Sequence, residues 1–304
     1  MSTTRDPLVS VLTPVYNGEM YLAECIQSVL RQSYTNFEYI IVNNCSTDRT
    51  LEIALAFKEK DPRIRIHNNE DFVDVISNHN LAFKLISDDA KYCKVVSADD
   101  FIYPQYLSLM VGLAEAHPSV AIVGSYQQSG SRVRWQGFHY PDPVLPGREV
   151  GRQIFLGDDR SLGHGSPTSL LYRADVVRRR DAFYPNPSPH SDTSACFDVL
   201  RNTDFGFVYQ VLSYERVHDE SQSSTSAVLN RYSSANVSDV IHYGPYYMTA
   251  EETRTVLKKH LSDYYRFLAV SAFRRRTCFV GSRGYRGKAH QRCAAKMASR
   301  QFPN

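Results

Sequence analysis

Short runs rich in β-branched and aromatic residues alternate, over the first 125 residues, with stretches whose apolar positions recur at helical spacing. That alternation confines the chain to parallel strands joined by crossover helices, an α/β fold. Leu8 to Thr13 opens the series. Leu22, Cys25, Ile26, Val29 and Leu30 then share one helical face, with Asn17 positioned as its cap. Phe37 to Val42 reads as a second buried strand. Ser46, Thr47 and Asp48 supply capping groups for a helix running to about Lys60. Strands are predicted at Arg63 to His67, Tyr92 to Val96 and Ser119 to Ser125. A helix is predicted near Val75 to Ile86, and another opens at Pro104 and stops before Pro118.

From 126 to 224 the pattern loosens into segments punctuated by Gly and Pro, with short strands at Thr168 to Arg173 and Gly206 to Leu212. No linker isolates this half from the first. Hydrophobic residues make up 42% of the 304 and charged residues 22%, enough apolar surface for a core and too little charge for a disordered chain. The six cysteines form no CxxC pair, which argues against a zinc site or a disulfide framework. No apolar stretch is long enough to span a membrane, and the start lacks the layout of a signal peptide, so a cytoplasmic location is expected.

Charge is unevenly placed. Residues 255–304 hold 12 of the 35 Lys and Arg but one of the 32 Asp and Glu, so the net +3 hides an acidic body and a basic tail. Leu257, Leu261, Tyr264 and Leu268 line one stripe of a helix in that tail, with Lys258, Lys259, Arg266 and Arg274 to Arg276 elsewhere on it. Two readings stay open: a solvated terminal helix, or peripheral docking on the anionic inner face of the plasma membrane. No RNA-binding motif accompanies the charge, so nucleic acid is not an expected partner. No GxGxxG follows the first strand, and Gly281, Gly284 and Gly287 lie in the wrong place for dinucleotide binding.

In an open α/β sheet, ligands bind beyond the carboxyl ends of the strands. Three such places carry chemistry here: Thr13 to Asn17, Asn43 to Asp48, and Ser97-Ala98-Asp99-Asp100. Adjacent acids at the end of a buried strand raise each other's pKa unless a cation satisfies them. Asp99 and Asp100 therefore suit Mn²⁺ or Mg²⁺ completed by substrate phosphates. They read equally as the acidic N-terminus of the helix that follows.

Taken in order, VSVLTPVYN, QS-x-x-x-FEYIIVNNCSTDRT and SADD resemble the family 2 glycosyltransferases over roughly residues 8 to 220, less closely after 125. The resemblance implies a GT-A fold: 1–125 as the nucleotide-sugar half, 126–224 as the acceptor half and 225–304 as a basic helical extension. It implies a nucleotide contact at Pro14, Tyr16, Asn44, Asp48 and Asp99. Metal ligation falls to Asp100, Asp99 and His218. Asn43 and Asn44 replace both carboxylates of the usual VDDGS, and Ser97 replaces the first acid of the acidic motif. At Asn43 a turn role is expected. An Asn carbonyl at 44 would accept from uracil N3–H, though its amide could equally face a purine carbonyl; a UDP-sugar is the favoured donor.

Asp192, ahead of the helical stretch Cys196 to Leu200, falls where the family keeps its general base, and a helix N-cap is the rival reading. His218, in Arg216-Val217-His218, resembles the family's arginine-x-histidine element before a Ser-rich run, Asp219 to Ser226, that would close over the donor. Asn78, His79 and Asn80 stand in the place of its arginine-asparagine pair. The resemblance thus implies an inverting enzyme that moves a sugar from a nucleoside-diphosphate donor to a glycan or lipid-linked acceptor, in bacterial surface polysaccharide biosynthesis. The alternative is a non-catalytic sugar-nucleotide-binding or scaffold subunit whose acidic motifs have eroded.

Overall fold

The computed structural model describes residues 6–138, 142–157, 162–185, 188, 190–218 and 231–281. The chain forms two compact units, residues 1–257 and 258–304. The first is a ten-stranded mixed sheet between helical layers.

Four parallel strands come from the regular N-terminal half: β1 (Val9–Val15), β2 (Phe37–Asn43), β3 (Ile64–Asn68) and β4 (Tyr92–Val95), lying in the order β3-β2-β1-β4. Helices α1 (Leu22–Leu30), α2 (Thr50–Lys58) and α3 (Val75–Lys84) make the crossovers. The predicted stripe of α1 is buried at Leu22, Cys25, Ile26 and Val29. β1 is buried at all seven positions, the mark of a parallel strand covered on both faces.

Beyond β4 the chain adds β5 (Phe101–Ile102), α4 (Tyr106–Ala116) and β6 (Val120–Ser129). Then come β7 (Arg132–Arg134), β8 (Val144–Pro146), α5 (Gly147–Leu156), β9 (Leu170–Arg173), α6 (Ala174–Arg178), α7 (Ser191–Leu200) and β10 (Asp204–Glu215). β9 inserts antiparallel between β4 and β6, and β10 runs parallel to β6. One core cluster packs α1 and α4 against one face of the sheet. A second packs α3, α6 and α7 against the other.

α8 (Arg231–Tyr247) lies within the first unit, where Val240, Tyr243 and Tyr247 pack with Phe155 of α5 and Phe197 of α7. α9 (Ala250–Gly281) begins in that unit, and its continuation from Lys258 is the described part of the second. No helix among the described residues is long and apolar enough to cross a membrane.

Candidate active site

The loops after β1 and β2 are laced together. Asn17 N–H donates to Ser46 Oγ (3.0 Å), and Thr47 N–H donates to Asn17 Oδ1 (2.8 Å). Gly18 N–H reaches Thr50 Oγ1 (2.7 Å), Glu19 N–H reaches Asp48 Oδ2 (3.0 Å), and Arg49 N–H returns to Glu19 Oε2 (3.0 Å). Asn17 is thus not the cap of α1, correcting the sequence expectation. Tyr21 precedes that helix without a side-chain cap, and Asn17, at φ +49°, spends its carbonyl on the other loop. Asp48 holds both loops, since its Oδ1 also accepts from Thr50 N–H (3.0 Å) and the Thr50 hydroxyl (2.5 Å). Burial opposes its charge, but these bonds and the Glu19 N–H outweigh it and keep the carboxyl below its ordinary range.

Pro14 is buried within β1, in register with Val42. Tyr16, half exposed, stands edge to face with Phe72, ring centroids 4.9 Å apart. Asn44 is buried, its amide turned toward Val73 and Asn69. Asn43 bonds Asn68 Oδ1 (3.2 Å) and accepts from Ser46 N–H (3.4 Å), in keeping with a turn role. Cys45 takes φ +56°, a left-handed conformation that glycine adopts without strain. On α3, Asn80 brackets Tyr184, donating to its carbonyl (3.0 Å) and accepting from its N–H (2.9 Å), while His79 Nδ1 bonds the Val75 carbonyl within its own helix (2.7 Å).

The third loop carries the acids. Asp100 is buried, and each carboxylate oxygen accepts one bond, Oδ2 from Thr168 Oγ1 (2.6 Å) and Oδ1 from Arg216 N–H (3.0 Å). Burial, then the neighbouring charge of Asp99, pushes its carboxyl up to about 7. Asp99 Oδ2 pairs with His218 Nε2 at 3.0 Å. Arg216 ties this corner together: its Nε donates to the Asp99 carbonyl (3.0 Å), its NH2 reaches Glu24 (2.5 Å), and its guanidinium lies 4.5 Å from the Tyr21 ring.

Beneath the acids lies Lys94 of β4, fully buried. Its Nζ donates to the carbonyls of Val95 (2.6 Å), Pro167 (3.0 Å) and Thr168 (2.5 Å). Burial drives the ammonium well below its ordinary pKa, against the pull of Asp100. The Pro167–Ser169 turn that Lys94 anchors presents the Thr168 hydroxyl to Asp100. Just ahead of it, Gly165 takes φ +131°, where a Cβ would lie 2.4 Å from Ser169 Oγ.

Asp192 stands in the first turn of α7. Leu200 leads within four residues into β10, so α7 runs back along the sheet and its N-terminus lies at the carboxyl edge, as the acidic loop does. Asp192 Oδ1 accepts from Thr193 N–H (2.8 Å). Burial raises its carboxyl, against that bond and the nearby His190, with Asp239 adding to the rise. The turn is secured from α8, where Asp239 accepts from Ser194 Oγ (2.9 Å) and pairs with His190 Nδ1 (2.9 Å).

Asp99, Asp100 and His218 thus meet in one corner; Tyr16, Asn44 and Asp48 belong to the laced pair of loops beside it. The hydrogen bond of Asp192 stays within its own helix turn. Among the described residues no three His, Cys, Asp or Glu side chains form a metal cage by themselves. The Ser-rich run Asp219 to Ser226 lies outside the described residues. Sequence reasoning passed over Thr168, Lys94, Phe72 and Asp239. A signal existed for Lys94 alone, as the one charge inside the apolar run YCKVV.

Residues 10–180 match the profile of Glycosyl transferase family 2, more than half of the chain. The chain belongs to that family. An uncharacterized glycosyltransferase of Haemophilus influenzae is 35% identical over 195 residues, covering 61% of this chain and 58% of the relative, so the match spans little over half of that protein. Among solved structures, Staphylococcus aureus TarS with UDP-GlcNAc superposes with a TM-score of 0.62 at 18% identity, covering 85% of this chain and 73% of that one. The mannosyltransferase PcManGT of Pyrobaculum calidifontis, with GDP-Man and Mn²⁺, superposes at 0.64 and 15% identity, covering 98% and 82%. At such identities these neighbours speak to the fold, the GT-A architecture that the family 2 resemblance implied.

Proposed function

We propose that this family 2 member is an inverting glycosyltransferase that transfers a sugar from a nucleoside diphosphate to a glycan or lipid-linked acceptor, in bacterial surface polysaccharide assembly. The observation that carries the reading is the corner where Asp99, Asp100 and His218 meet at the carboxyl edge, with the first turn of α7 opening on the same edge. Asp192 accepts the acceptor hydroxyl's proton as that oxygen attacks the anomeric carbon, and the electron pair of the breaking bond leaves with the diphosphate. A carboxylate with a raised pKa is the stronger base for this step.

The corner fits a divalent cation. Asp100 is a desolvated carboxylate beside a second acid, with an imidazole in reach, and two or three such donors suit Mn²⁺ or Mg²⁺ that takes its remaining ligands from water and diphosphate. When bound, the ion offsets the charge growing on the leaving diphosphate. The protein's part is positional: Thr168 and Arg216 fix the Asp100 carboxylate, and Asp239 fixes the turn that carries Asp192.

Purified protein given UDP-sugars, GDP-sugars and Mn²⁺ with a polyprenyl-phosphate-linked acceptor is expected to release nucleoside diphosphate. Asp192→Asn should cut the rate at least a hundredfold while leaving nucleotide affinity near wild type. Asp100→Asn should weaken Mn²⁺-dependent nucleotide binding itself. Nucleotide binding without turnover on any acceptor would favour the scaffold reading, and wild-type rates from Asp192→Asn would remove Asp192 from its role.

A further inference from the structure

His190 stands immediately before α7, two residues ahead of Asp192, and its side chain is 17% exposed. The turn there is closed by backbone, the His190 carbonyl accepting from Ser194 N–H (2.8 Å), so the imidazole is not needed for that job. The ring is held all the same. Its Nδ1 meets Asp239 Oδ2 at 2.9 Å, while Asp239 Oδ1 accepts from Ser194 Oγ (2.9 Å). An ionised carboxylate only accepts, so in the neutral ring the proton lies on Nδ1 and Nε2 keeps its lone pair. Tyr232, on α8 with Asp239, packs its ring 5.2 Å from the imidazole. Position and tautomer are thus both set from α8.

Two unengaged lone-pair atoms remain at the head of α7. His190 Nε2 has no hydrogen-bond partner among the described residues, and neither has Asp192 Oδ2, Oδ1 being taken by Thr193 N–H. Neither atom is sealed from solvent. Burial raises the Asp192 carboxyl and a charge on the imidazole lowers it, which puts the two groups within reach of each other. On a sugar, the carbons beside an attacking hydroxyl commonly carry hydroxyls of their own. A second acceptor atom next to the base is placed to hold one of them.

We propose that His190 binds the acceptor sugar, its Nε2 taking a hydrogen bond from a hydroxyl beside the one that attacks, with Asp239 as the positioning residue that keeps the proton on Nδ1. The inference rests on the glycosyltransferase reading above, in which Asp192 takes the attacking hydroxyl's proton. It adds what the acceptor must carry, a sugar with two neighbouring hydroxyls open. A site built to pair with a hydroxyl rejects the analogue that lacks it, because its own polar atom is then left without a partner.

Steady-state transfer to a polyprenyl-phosphate-linked sugar tests this. The terminal sugar is supplied in its parent form and deoxygenated in turn at each carbon beside the attacked one, which the product linkage identifies. The wild-type chain should lose about tenfold in kcat/KM on one of the two deoxy acceptors. His190→Phe, which keeps a ring against Tyr232, should treat that acceptor and the parent alike. His190→Gln, whose amide oxygen can accept, should restore part of the preference. Asp239→Asn should weaken the preference too, since its amide can donate to Nδ1 and drive the proton to Nε2. A merely structural loss at the turn of Asp192 slows every acceptor by one factor and leaves the preference intact. That preference surviving in His190→Phe overturns the proposal, as does wild-type indifference to both deoxy acceptors. Where circular dichroism melts show His190→Phe unfolded, an undiminished preference in Asp239→Asn overturns it instead. A wild-type chain that transfers to no acceptor fails earlier, on the glycosyltransferase reading.

Discussion

His164 sits in the loop ahead of β9 with its ring edge-on to Phe197, centroids 4.6 Å apart, and neither ring nitrogen has a hydrogen-bond partner. Burial lowers its pKa from 6.5 to about 3. The unfolded chain therefore binds a proton that the folded chain refuses, so stability is full above pH 6.5 and drains away as the pH falls toward 3. At pH 5 the loss from this residue comes to about 2 kcal/mol. Denaturant unfolding of His164→Phe at pH 7.5 and pH 5 should show the gap between the two shrink by about that amount. Asp99 and Asp100 stood out in the sequence because adjacent acids after an apolar run are chemically costly. Their partners did not, since Thr168 lies 68 positions from Asp100 and Arg216 lies 116, and nothing local marks either. Asn44 was legible as a departure from the family's pattern. Its purpose emerged from the contact with Val73.

Helices and strands of the first half were readable because β1 and β4 are buried throughout, β2 nearly so, and α1 has one apolar face, so periodicity and burial agree. The capping of α1 and α2 was less so. Asn17 has the right chemistry for a cap but serves another loop, and on α2 the anchoring falls to Asp48 alone among the three polar residues. The second half resisted reading because its elements are held by partners remote in sequence. α7 is an instance. Its first turn is fixed by Asp239, which is 6% exposed and satisfies both His190 and Ser194. Asp239→Ala leaves those two groups unpaired and should cost ~1–3 kcal/mol in urea unfolding. Because Asp192 rides on the same turn, transfer activity should fall further than nucleotide binding does.

Across the whole molecule, net charge separates by sequence, acidic up to residue 254 and basic after it. The described part of the second unit presents Tyr265, Leu268 and Val270 to solvent on a helix that carries Lys258, Lys259 and Arg266. Apolar and cationic groups on one helix suit an anionic bilayer, where each basic residue near the surface contributes on the order of 1 kcal/mol. The chain should co-sediment with phosphatidylglycerol vesicles and not with phosphatidylcholine. Binding should weaken as salt rises, and Lys258→Glu with Lys259→Glu should weaken it further; equal binding to both lipids would remove the membrane role. The sheet has a consequence of a different sort. β9 is the seam between the β3-β2-β1-β4 block and the β6-β10 block, and it is drawn from residues 170–173. A chain growing from the ribosome has β4 and β6, the two strands that border it, made before the piece that joins them. Until that piece emerges, β4 and β6 each offer an unpaired edge to any passing strand, and the nascent protein is at its stickiest.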